Sequence, residues 1–203
     1  AGLPELFPDL GEAWIVANVV QYTGDSDLSN ATSSEFTLKG NKCGSTAEYC
    51  LSVDGYDVYA ATYVNSGTSE YNSSRISYGS SWSAPMVSGG VALMAQAFPN
   101  HTSEQLVDRI LASANNVWFT PEGNTTFTTH GNSVKHGYHS TWGHGIPDFY
   151  AALSPITSDG NPASMSLYTS SSIQSSKAAS LGSSYIIPST SFGDAISHGL
   201  IGE

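Results

Sequence analysis

The chain is poor in basic residues: six Lys and Arg stand against 17 Asp and Glu in 203 residues, for a formal net charge of −11. So few cations poorly neutralise a phosphate backbone, which argues against a nucleic-acid partner. The same deficit argues against an anionic membrane surface. No apolar run reaches the roughly 20 residues that span a bilayer, so no membrane-spanning helix is expected. Residues 1–10 have neither a basic start nor a long apolar stretch, so they do not read as a signal peptide. Cysteine is scarce, with only Cys43 and Cys50 present. Two thiolates alone do not make a structural zinc site. Two free thiols or one disulfide closing a small loop remain. Polarity here comes from Ser, Thr, Asn and Gly, a surface common in secreted proteins, and this favours the disulfide.

What is present suits one domain with a real core, since hydrophobic residues make up 39% of the chain. Residues 13–20 are apolar and β-branched and read as a buried strand. Residues 21–48 read as a long loop region. Residues 49–53 and 57–63 are two more short strands, separated by a turn at Asp54-Gly55. Residues 65–78 read as a Ser-rich loop. A helix follows with Val87, Val91, Met94 and Phe98 along one stripe. It is apolar or small on nearly every face, so a buried helix is expected, ending at Pro99-Asn100. Thr102 and Gln105 form the capping-box pattern of a second helix, whose buried face is Leu106, Val107, Ile110, Leu111 and Ala114. It closes at Asn115-Asn116. Residues 117–141 read as a polar excursion, and 148–153 as a last short helix. From Ser158 on, the chain is a Ser-, Thr-, Ala- and Gly-rich linker or tail. The boundaries are thus 1–157 for the domain and 158–203 for the tail.

The segment bearing on chemistry is Gly79-Ser80-Ser81-Trp82-Ser83-Ala84-Pro85. A nucleophilic serine needs a turn that exposes its Oγ, small neighbours, and backbone N–H groups aimed at the developing oxyanion. A Gly-Ser-Ser turn opening onto a helix N-terminus offers all three, and the helix dipole favours negative charge there. Pro85 is expected in the first helical turn, where no intrahelical bond is lost. The same residues also read as an ordinary helix cap.

This segment resembles the signature of the subtilases, the subtilisin-like serine proteases of peptidase family S8: Gly-Thr-Ser-x-Ala-x-Pro. The family's Gly, Ser and Pro fall on Gly79, Ser81 and Pro85. Ser80 replaces its Thr, and Trp82 and Ser83 replace the usual Met and Ala. Pro85-Met86-Val87-Ser88-Gly89 is similar to the family's Pro-His-Val-Ser-Gly. Gly143-His144-Gly145-Ile146-Pro147-Asp148 is similar to its closing Gly-x-Gly-x-x-Asp. The likeness covers residues 3–156 and is nearest to autotransporter-type subtilases of Gram-negative bacteria, which carry such a Cys pair. Residues 191–200 resemble the segment that joins an autotransporter passenger to its barrel. The resemblance implies the C-terminal part of a three-layer α/β fold with a parallel sheet. It also implies a serine endopeptidase with Ser81 as nucleophile, acting on protein or peptide substrates at the cell surface or in the secreted fraction.

In subtilases the triad runs Asp, His, Ser. No His precedes His101 here. The resemblance therefore implies that Asp, His and the oxyanion Asn lie on an upstream polypeptide. His130, His136, His139 and His144 cluster in sequence. The spacing of His136 and His139 is unspecific for a metal, so they are expected to be solvated loop residues. No cofactor is implied. Calcium is common in the family, yet no acidic cluster here has ligand spacing. Asn30, Asn72, Asn100 and Asn124 begin Asn-x-Ser/Thr sequons. The alternatives to a protease are a catalytically inactive subtilase-like binding module and a structural surface segment suggested by the tail.

Overall fold

The computed structural model describes residues 3–24, 28–63, 71–129 and 133–154. The 158–203 tail, His130 and His198 lie outside them.

A short helix α1 (Leu3–Leu6) and a 3-10 turn (Pro8–Ala13) lead into β1 (Val16–Tyr22). The strand starts later than the apolar run suggests, because Pro8 nucleates the 3-10 turn that takes up Ala13. Strand β2 (Phe36–Leu38) and strand β3 (Cys50–Asp54) flank β1 in the order β2-β1-β3. β1 and β3 are parallel, with Val16 opposite Cys50 and Val20 opposite Asp54. β2 is antiparallel and reaches only Val20, Gln21 and Tyr22 of β1. Four of the five β3 residues are buried, as a strand covered on both faces requires.

β4 (Val58–Tyr63) pairs antiparallel with β5 (Tyr71–Ser77). Part of the expected 65–78 loop is therefore a strand. Helix α2 (Ser80–Ala97) and helix α3 (Ser103–Ala112) follow. The expected capping box of α3 is present: Thr102 Oγ1 accepts from Gln105 N–H, and Gln105 Oε1 accepts from Thr102 N–H. A ribbon of β6 (Gly123–Phe127) and β7 (Val134–Tyr138) replaces the expected polar excursion. Helix α4 (Phe149–Ala152) is capped by Asp148, whose carboxylate accepts from Ala151 N–H at 2.8 Å.

The main core joins α3 (Leu106, Val107, Ile110, Leu111) to α2 (Val87, Met94, Phe98), β3 (Leu51, Val53) and the ribbon (Phe127, Val134). A second cluster gathers Val20, Phe36 and Trp118. Beneath the first lies a buried cation, Arg109. Its guanidinium donates to the carbonyls of Ala152 (2.6 Å) and Ser154 (2.8 Å) and lies over the Phe98 ring at 4.4 Å.

Helix α2 departs from the all-round burial expected of it. Only Ser83, Val87, Gly90 and Met94 are buried, whereas Met86 is 40% and Leu93 58% exposed. The helix also begins earlier than expected, at Ser80. Pro85 is thus its sixth residue, inside the helix rather than in the first turn. Its ring removes the N–H that would bond the Ser81 carbonyl.

Candidate active site

Gly79 is the N-cap of α2, with φ 151° and ψ 161°. A side chain there would be strained, so glycine sets the turn. Its N–H donates to the Gly55 carbonyl at 3.2 Å, which ties the start of α2 to the turn after β3. Bonding within the helix starts when Trp82 and Ser83 N–H donate to the Gly79 carbonyl, at 2.9 and 3.3 Å. The N–H groups of Ser80 and Ser81 lie ahead of these bonds and face outward from the helix end, where the dipole is positive.

The three serines of this turn differ sharply in setting. Ser80 and Ser81 are exposed. Ser83 is fully buried, and its hydroxyl has no hydrogen-bond partner. It points at Gly55, where an added Cβ would overlap Ser83 Oγ. Ser83 is sealed from any substrate, while Ser81 is reachable. Beside the turn runs a cleft of about 570 Å³. It is lined by β1 from Val16 to Val19 with Trp14 and Ile15, by residues 39–43, and by Tyr78, Gly79 and Ser80. Along this stretch β1 is paired only on its β3 side, apart from the Val19 carbonyl, which accepts from Lys39 and Gly40 N–H. Asn18 lies buried at the cleft. Its amide donates to the Thr141 carbonyl at 3.0 Å, and its Oδ1 has no partner.

The histidines are occupied elsewhere. His101 stacks on Phe98 at the far end of α2, about 25 Å from Ser81 by helical rise. His139 Nε2 lies 3.4 Å from Glu122, whose other carboxylate oxygen accepts from Ser140 N–H. Those bonds to Ser140 hold the Glu122 carboxyl below its usual range. His136 and His144, expected to be solvated, are instead buried and face each other. In β7, Val134 and His136 face inward on either side of the exposed Lys135. His144 is held by the tight turn Gly143–Gly145, whose glycines have φ 60° and 102°. That turn packs so closely on Cys50 that a Cβ at Gly143 would overlap the Cys50 carbonyl.

Cys43 and Cys50 form a disulfide across a separation of seven residues. Among the described residues no three His, Cys, Asp or Glu side chains cluster to hold a metal. Also among the described residues, no helix is long and apolar enough to cross a membrane.

Comparison with known proteins bears on this arrangement. The sequence model of the Subtilase family matches residues 7–145. An extracellular serine protease of Serratia marcescens is 29% identical over 119 residues, which is 51% of this chain and 10% of that protein. The chain thus spans only a small part of the length of this curated relative.

Proposed function

The chain belongs to the subtilase family, and on that premise we propose that it carries the nucleophile, Ser81, of a serine endopeptidase. The observation that carries the reading is the split among the turn's serines. Ser81 stands exposed in the first turn of α2, while Ser83 faces Gly55 in the interior. Ser81 Oγ attacks the substrate carbonyl and gives its proton to a histidine on an upstream polypeptide. The tetrahedral oxyanion is met by backbone N–H groups at the start of α2. Collapse expels the amine, which takes that proton, and water then releases the acyl group from Ser81.

Two features support an upstream partner. The exposed side of α2 carries Met86 and Leu93, and the β1 edge from Val16 to Val19 lies open beside Ser80. Apolar surface of this kind costs roughly 25 cal/mol per Å² when left in water. The disulfide and the extracellular relative support a secreted or cell-surface setting. The autotransporter-passenger arrangement, with 1–157 as domain and 158–203 as linker, belongs to the same proposal.

The test uses the full-length protein and a serine-reactive fluorophosphonate probe. Ser81→Ala should abolish labelling, whereas Ser80→Ala and Ser83→Ala should keep it. Full labelling of Ser81→Ala would reject the assignment. A folded wild-type protein that takes no label is instead an inactive binding or surface module.

A further inference from the structure

Two buried imidazoles, His136 on β7 and His144 in the Gly143–Gly145 turn, meet nitrogen to nitrogen. Their Nδ1 atoms are 2.9 Å apart. Each outer nitrogen faces a backbone carbonyl. His136 Nε2 lies 2.9 Å from the Ala114 oxygen, and His144 Nε2 lies 2.9 Å from the Glu48 oxygen. A carbonyl only accepts, so each Nε2 must carry a hydrogen to satisfy it. A neutral ring protonated on Nε2 has a bare Nδ1. Two neutral rings so arranged would set two lone pairs against each other.

The geometry therefore counts protons. Three hydrogens on the two rings satisfy every contact: one on each Nε2, and one on the line between the Nδ1 atoms. With two hydrogens, either the lone pairs collide or one buried carbonyl loses its donor. With four, two N–H groups point head-on and two positive charges sit side by side away from water.

We propose that His136 and His144 form a proton-counting latch, closed by one shared proton and sprung by a second, that fastens the 139–146 turn to β7. Burial pushes the His136 pKa down, but without a cationic neighbour to oppose its charge. Burial, and next the charge of His136, pushes His144 down to about 3. A first proton is thus taken up below the ordinary histidine range, and a second is resisted more strongly.

Among the described residues, the charged groups nearby turn away from the pair or lie at the surface. Phe127 of β6 and Tyr138 of β7 set their rings 5.6 and 5.8 Å from His144. The Tyr138 hydroxyl donates to the exposed Glu48 carboxylate. Lys135 is exposed on the outer face of β7. His139 turns to Glu122 at the surface. On α3, Asp108 accepts from Thr129 and Arg109 bonds the Ala152 and Ser154 carbonyls. From the β3 side comes the Cys43–Cys50 disulfide, which does not titrate.

The latch acts at a joint. His144 N–H donates to the Cys50 carbonyl, and Ser52 N–H donates to the Gly145 carbonyl, both at 2.8 Å. Ser52 Oγ adds a bond to the Trp142 carbonyl at 2.9 Å. β3 then runs to Gly55, the acceptor for Gly79 at the head of α2. Release of the turn loosens the strand on which the Ser81 turn is braced. The proposal stands on these contacts and is independent of the protease reading.

The test needs no variant. The full-length protein is labelled with 15N in its histidine rings and titrated by NMR, while amide exchange is followed at Ser52 and His144. Expected is uptake of one proton by the two rings together, with a bridging hydrogen bound to Nδ1. A second uptake near pH 3 should coincide with lost protection at both amides. Two rings titrating independently near their ordinary pKa would overturn the proposal. So would a pair that takes up no proton until the whole protein unfolds.

Discussion

Replacing Cys43 and Cys50 together by alanine tests how much of the fold hangs on one small covalent loop. The bridge closes a loop with a separation of seven residues. On the chain-entropy account a loop this short restrains the unfolded chain by about 2.5 kcal/mol. Packing adds to this. Both sulfurs are buried in a cluster with Ala47, against which Val16 and Tyr138 pack. Truncating them leaves two small voids, at about 1 kcal/mol each. The Asn18 amide also loses its contact with Cys43 Sγ at 3.4 Å. Expected is a loss of roughly 4 kcal/mol, a large share of the ~5–15 kcal/mol that holds an ordinary domain. The assay is urea unfolding of the full-length protein, followed by tryptophan fluorescence. The midpoint should fall, and wild type under reducing conditions should move the same way. A double variant with an unshifted midpoint would refute the reasoning, because it would mean that neither the loop nor its sulfurs contribute.

Three further outcomes are expected. Gly143→Ala combines a left-handed backbone with a Cβ against the Cys50 carbonyl, so it should cost roughly 3 kcal/mol in a denaturant titration. Burial and the charge of His136 lower the pKa of His144 to about 3, so the unfolded chain takes up the pair's second proton more readily than the native one; stability held by the singly protonated pair is lost as pH falls towards 3. His144→Phe should flatten this part of a melting-temperature-against-pH curve. Arg109→Leu leaves the Ala152 and Ser154 carbonyls without their donor, so urea unfolding should show a loss of about 3 kcal/mol.

The elements that were legible in sequence were those whose local chemistry and burial agree. α3 has both a capping box and a 3.6-residue apolar stripe, and the structure shows both. β3 is mostly apolar, with Ser52 bonded to the Trp142 carbonyl, and is buried throughout except at Asp54. The β6–β7 ribbon was missed because its inward positions are not all apolar. His136 fills one, and a buried histidine reads as polar. β5, with the sequence YNSSRIS, shows no apolar alternation at all. For α2 the obstacle was the opposite. Nearly every face is apolar or small, so periodicity could not say which face this chain covers and which it leaves bare. Motif register singles out Ser81, which lies exposed at the head of α2. The inward setting of Ser83 was not legible, because it depends on Gly55, which is distant in sequence.

The Arg109 clamp also has a mechanical meaning. Its two bonds hold the backbone at Ala152 and Ser154, the last stretch of the domain that the structure describes. A pull applied along the chain beyond Ser154 loads that guanidinium together with Ala152 and Leu153, which pack in the main core. The load then passes into α3, where the Arg109 carbonyl accepts from both Ser113 N–H and Ser113 Oγ. Arg109 thus works as a strain relief, as the collar on a cable spares the solder joint behind it. Tugging at the C-terminal side would be taken up by hydrogen bonds that can re-form, and the turn bearing Ser81 would lie outside the line of force.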